Sequence, residues 1–212
     1  TAAEMKDTNM HNAMLWNGEG GPYLTFPGNA ANRVFTTKLD GTLVNTLQPP
    51  TAANDLGAPV ANEYFKNNGP FIPTDVEYLN GLFYITTGYS KLDYVLTAKV
   101  KPGANFEATW NNLAFGGRGT GVGQFGTGHG VTVPEGKKRI DIADRPNSEV
   151  DRFTPEGKYL ETVQLPKGSF PCDTYYDGQY MVIGALHGPD RTKGAPIYIL
   201  EKDKVVSTIM PK

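Results

Sequence analysis

Apolar and polar residues alternate along much of this chain with the period of two that a half-buried strand requires. "VDRFT" (150–154) and "YLETVQL" (159–165) are clear cases. Helical periodicity is nearly absent. "APVANEYFKNN", residues 58–68, is the one stretch whose pattern predicts a short helix. Strands of this length, separated by turn residues, call for a search for internal repeats.

Four segments of the chain line up with one another. They are residues 9–47, a second running from "IPTDVEYLNGLFYITTGYS" to about Trp110, residues 127–165 and residues 170–209. Each reads as strand, tight turn, strand, wider loop, strand, turn, strand. Asn80-Gly81, Glu135-Gly136 and Asp177-Gly178 are expected to join strands one and two. Asp40-Gly41 and Glu156-Gly157 are expected to join strands three and four. Asn-Gly and Asp-Gly tolerate the positive φ of two-residue hairpins. Four-stranded units recurring at this size predict an all-β protein, a β-propeller with four blades in one domain spanning residues 1–212. The blades are placed at about 9–48, 70–112, 125–166 and 168–210, with long loops at 49–70 and 113–127. A β-sandwich with accidental self-similarity is the alternative, but turn chemistry and register agree across all four units. Propellers usually have four to eight blades. Either four close a ring, or blades are absent from this chain, or chains pair as a homo-oligomer to close one.

Composition supports this picture. Among 212 residues there are 25 Gly and 16 Pro, which suits many short strands and tight turns. The formal charge of −2 carries no basic stripe, so nucleic acid is not an expected partner. No apolar run approaches the roughly 18 residues of a membrane helix, so no membrane is expected either. A single cysteine, Cys172, excludes an intrachain disulfide framework. The chain begins at Thr1 rather than Met, as a processed or trimmed product would; a secreted or periplasmic location is the expectation.

Blade geometry turns the repeat into a site. The entry to the innermost strand and the loop between strands two and three lie at the same end of a blade. The entry slots hold His11, Thr74, His129 and Cys172; the loop slots, fifteen or sixteen positions later, hold Phe26, Tyr89, Arg145 and His187. All three histidines of the chain occupy these eight slots. Taken singly, each has a bland reading: a turn histidine is usually a polar surface residue, Cys172 a small buried hydrophobe, Tyr89 a filler. Together, His11, His129 and His187 are candidate ligands for Zn²⁺ or another divalent first-row metal, with a fourth position open. The metal would act as a Lewis acid or lower the pKa of a bound hydroxyl. Tyr89 is the candidate base and Arg145 the candidate clamp for a carboxylate. Asp75, Asp144, Cys172 and Asp173 are candidates for contacts with substrate or for support of the ligands. Asp144 could equally bond to Arg145 or to backbone.

"FGGRGTGVGQFGTGHGVTV" followed by "IDIADRPNSEVDRF" resembles the NHL repeat, a propeller blade type. More narrowly, "IPTDVEY…TTGYSKLDYV" followed by a long loop and "GQFGTGHGVTV…IADRPNSEVDRF" resembles peptidyl-α-hydroxyglycine α-amidating lyase, a six-bladed NHL propeller. The resemblance covers about residues 70–165. It implies cleavage of a C-terminal α-hydroxyglycine into a peptide amide and glyoxylate. It places the family's tyrosine at Tyr89, its arginine at Arg145 and one of its zinc histidines at His129. His11 is the counterpart of another on a permuted chain. A further family histidine falls on Asn32, and His187 has no counterpart.

Three functions follow as expectations. The first is a metal-dependent lyase cleaving a C–N bond of an α-hydroxyglycine-like small-molecule or peptide substrate. The second is a non-catalytic propeller module that binds through loop aromatics such as Tyr64, Phe65 and Trp110. The third is a propeller lactonase or hydrolase holding Ca²⁺ through Asn12, Asp75 and Asp173, where calcium could also be purely structural. The three histidines suit a softer ion than this last class needs.

Overall fold

Sixteen strands form where alternation and turn chemistry predict them, in a computed structural model that describes residues 3–136 and 138–211. They pair into four antiparallel sheets of four strands, each in simple sequential order. The first sheet holds β1 (Met14–Gly18), β2 (Gly21–Gly28), β3 (Arg33–Lys38) and β4 (Leu43–Leu47). The second holds β5 (Asp75–Leu79), β6 (Leu82–Thr86), β7 (Tyr94–Lys101) and β8 (Glu107–Gly116). The third holds β9 (Gly128–Thr132), β10 (Ile140–Asp144), β11 (Glu149–Phe153) and β12 (Tyr159–Gln164). The fourth holds β13 (Pro171–Asp177), β14 (Tyr180–Ala185), β15 (Ile197–Glu201) and β16 (Lys204–Ile209). This is the all-β blade architecture of a β-propeller. The chain divides into two compact units, Thr1–Phe115 and Gly116–Lys212, with two blades in each.

The turns follow local chemistry, with two departures. Asn80 and Gly81 take φ of 50° and 82° and close the β5–β6 hairpin as expected. In the fourth blade, Asp177 still pairs with Tyr180, so the turn is Gly178-Gln179 rather than Asp177-Gly178. Gly178 carries the positive φ, the Gly-first pattern of a type II′ hairpin. In the third blade, β9 and β10 are joined by a wide loop containing Glu135-Gly136, not by a two-residue turn. Pro134 lacks the N–H that a longer ladder would need. β8 also runs past the expected blade end at 112, to Gly116.

In the first unit, β5 packs against β1 and β2. Trp16 anchors the core there. Its ring stacks on Tyr78 at 4.2 Å between centroids, and its indole N–H donates to Thr25 Oγ1 at 2.9 Å. The expected helix is α1 (Pro59–Lys66), which starts on a proline and buries Ala61 and Phe65 against this core. In the second unit, β13 packs against β9 and β10. The core between its blades comprises Val150, Val163, Leu165, Met181, Ile183, Ala185, Tyr198 and Leu200.

Candidate functional site

The two blade pairs repeat one device. In the first unit, His11 sits just before β1, its backbone N–H donating to Pro27 O at 3.1 Å. Its Nδ1 lies 2.6 Å from the carbonyl oxygen of Thr74. A carbonyl only accepts, so Nδ1 carries the proton and Nε2 keeps its lone pair in the neutral ring. Nε2 is 3.2 Å from the Tyr89 hydroxyl, and the two rings meet edge to face at 5.2 Å. Tyr89 stands on the β6–β7 loop, which is braced by Ser90 Oγ–H donating to Thr87 O at 2.7 Å and Thr87 Oγ1–H donating to Tyr94 O at 2.8 Å. The phenol is 39% exposed, so this pair faces water.

In the second unit, His129 lies within β9 and is buried. Its Nδ1 is 2.8 Å from the carbonyl oxygen of Cys172, which fixes the same tautomer. In both units, then, the histidine at one blade's entry slot bonds to the backbone of the next blade's entry slot. The close approach depends on Gly130: a Cβ there would stand 2.5 Å from Cys172 O and 2.6 Å from Asp173 Oδ1. Arg145 follows β10, and its Nη2 donates to Cys172 Sγ at 3.2 Å. Cys172 therefore receives His129 at its carbonyl and Arg145 at its thiol.

Asp75 and Asp173 follow the entry slots and play matching parts. Asp75 Oδ1 accepts from the Val76 N–H and from Asn12 Nδ2, both at 2.7 Å. Asp173 Oδ1 accepts from the Thr174 N–H at 2.8 Å and from Thr132 Oγ1 at 3.1 Å. Asp75 thus ties its strand to the segment leading into β1, and Asp173 ties its strand to β9. Asp144 turns to backbone: the N–H groups of Gly126 and Thr127 donate to it at 2.9–3.0 Å, and Asn147 Nδ2 at 2.7 Å. Burial still pushes its carboxyl above the usual range, against the pull of those donors.

His187 stands apart in posture. Its ring lies on Phe170 at 4.0 Å between centroids, and its Nδ1 is 3.2 Å from the carbonyl of its own neighbour Gly188. His11 and Tyr89 belong to one unit, and His129, Arg145, Cys172 and Asp173 to the other. Among the described residues, the one grouping of three His, Cys, Asp or Glu ligand atoms within 4.8 Å of one another is Asp144, Glu149 and Asp151. Sequence reasoning missed it as a group, although "EVD" places Glu149 and Asp151 two apart on one strand face. It also missed a buried network in which Arg139 donates to Asp141 and Tyr176, and Arg152 to Glu161 and Asp203.

The fold is that of a β-propeller blade array. No family model and no curated protein matches the sequence. Among solved structures, virginiamycin B lyase from Staphylococcus aureus superposes with a TM-score of 0.55 at 13% identity, over 98% of this chain and 56% of that one. The same lyase is also represented by a catalytically inactive histidine-to-alanine variant with quinupristin. A putative 6-phosphogluconolactonase from Bacteroides uniformis gives 0.56 at 16% identity, over 91% of this chain and 54% of that one. The nidogen/laminin complex gives 0.55 at 12%, over 89% and 59%. The chain therefore spans a little over half the length of these neighbours, and likeness at such identities concerns the fold.

Proposed function

We propose that this chain is, or belongs to, a metal-dependent β-propeller lyase acting on a small or peptide substrate that carries a carboxylate. The observation that carries the reading is the repeated histidine device. At His11 and His129 a backbone carbonyl accepts from Nδ1–H, which fixes the ring and its tautomer, so that Nε2 carries the lone pair. That is the posture of a metal-ligating or proton-accepting imidazole. Solved neighbours that include a propeller lyase and a putative lactonase are compatible with an enzymatic reading on this fold.

The donor chemistry of each device, taken by itself, fits zinc or another first-row ion, with Nε2 of His11 in one unit and Nε2 of His129 in the other as the ligand atom. Such a metal supplies Lewis acidity toward a substrate oxygen. The remaining work falls to this chain's own side chains. Tyr89 gives up its hydrogen bond to His11 Nε2 when a metal takes that lone pair, and, as the phenolate, it would accept the hydroxyl proton of an α-hydroxyglycine-type group, oriented by its edge-to-face contact with the His11 ring. As the new carbonyl forms, the C–N bond breaks and its electron pair leaves with nitrogen, which takes back the proton that Tyr89 accepted. Arg145, anchored through Cys172, pairs with the substrate carboxylate. The calcium-lactonase reading is less favoured, because the imidazole nitrogens of the two histidine devices suit a softer ion than calcium.

The test is glyoxylate release from a peptide ending in α-hydroxyglycine. The reading expects turnover that a chelator abolishes and zinc restores, and that falls about 10²-fold or more in Tyr89→Phe. Metal-independent glyoxylate release, or Tyr89→Phe at the parent rate, would contradict it.

A further inference from the structure

The acidic group on the third blade lies among residues for which the proposed lyase chemistry has no use. Asp144 ends β10, and Glu149 and Asp151 alternate on β11, where Glu149 pairs directly with Asp144 across the ladder. One carboxylate oxygen from each lies within 4.8 Å of the other two. Like charges placed opposite one another on a sheet destabilise it unless something neutralises them. Asp144 and Asp151 are fully buried.

A second observation points to a missing partner. Asp151 Oδ1 accepts from the Thr162 hydroxyl, but Asp151 Oδ2 is buried with no hydrogen-bond partner among the described residues. An orphaned carboxylate oxygen in an interior is among the costliest polar groups to leave unmatched. Burial pushes the Asp151 carboxyl up to about 7, with Glu149 and Asp144 adding to the rise. Glu149 is raised too, by burial first and then by Asp144.

Access and donor type narrow the ligand. Glu149 is half-buried and lines a polar pocket of about 380 Å³ with Thr120, Asn147, Gln164 and Lys167. Gln164 Nε2 donates to Glu149 Oε2 at 2.6 Å, which holds that side chain in place. Every donor is oxygen, the set preferred by hard cations. Calcium takes oxygens at about 2.3–2.6 Å, so opposite ligands stand up to about 5 Å apart, whereas magnesium holds them within about 4.2 Å. Magnesium also gives up its waters reluctantly, so a site with two fully buried carboxylates suits calcium better.

We propose that Asp144, Glu149 and Asp151 form a calcium-type site that staples β10 to β11, entered from the Glu149 side and separate from the histidine device. The test uses the full chain, stripped with chelator and titrated with calcium chloride, magnesium chloride and zinc chloride in turn. Thermal melts and calorimetry are the readouts. The expected result is saturable calcium binding in the micromolar to millimolar range, with a melting temperature raised by several degrees and a weaker response to magnesium. Asp151→Asn and Glu149→Gln keep their folded melting transition in chelator but lose the calcium response; His129→Ala keeps it. Three results would overturn the proposal: no calcium effect on the parent protein, an equal effect in both carboxamide variants, or loss of the effect only in His129→Ala. If the three carboxyls merely share a proton, the first of these is seen.

Discussion

At the scale of single residues, the account rests on which nitrogen of each histidine is engaged. Composition shows three histidines, and the repeat shows that they fall in equivalent slots. Neither shows that Thr74 and Cys172 offer backbone carbonyls to Nδ1, because main-chain acceptors leave no trace in side-chain identity. His187 illustrates the other limit: the slot was legible, but its stacking on Phe170 depends on how two loops fold together. Asp151 yields a prediction at this scale. Its folded carboxyl titrates near 7, far above the usual value of 3.8, so the folded state binds a proton that the unfolded state releases. In cation-free protein the stabilisation from this group is complete below about pH 4 and is lost as pH rises toward 7. The loss has an upper bound of about 4 kcal/mol. Urea denaturation across that window checks it: the slope should flatten in Asp151→Asn, and an unchanged slope assigns the effect to other groups.

Elements were the most legible level. Alternation located the strands, and Asn80-Gly81 set one hairpin because both residues tolerate positive φ. The departures have local causes: Gly178 favours a turn one residue later, and Pro134 ends the ladder between β9 and β10 early. What the pattern did not show is how closely neighbouring first strands approach. Gly130 marks that approach, because a Cβ there would meet the backbone oxygen of Cys172 at 2.5 Å. Gly130→Ala should therefore cost roughly 1–3 kcal/mol, the range for an overpacked interior, and should move the His129 imidazole off its carbonyl. Melting temperature and the imidazole NMR signals report the two effects. An alanine variant of parent stability with unshifted His129 signals would show that the β9–β13 contact is looser than described.

For the whole molecule, each unit builds the same histidine-to-carbonyl device from blades that differ in sequence, as a repeat fold allows. The chain covers a little over half of its propeller neighbours, and their fold is shared by a lyase, a putative lactonase and the nidogen/laminin complex alike. Fold was therefore legible from turn spacing, while function had to be argued from His11, Tyr89, His129 and Arg145. The proposal that His11 and His129 each offer Nε2 to a metal is tested most directly by elemental analysis of the purified protein. The account predicts a tightly held first-row divalent metal in the parent chain, largely lost in His129→Ala and in His11→Ala and retained in His187→Ala. A parent chain that purifies without such a metal and takes none up from zinc chloride, or a His129→Ala variant with its metal content intact, would contradict it.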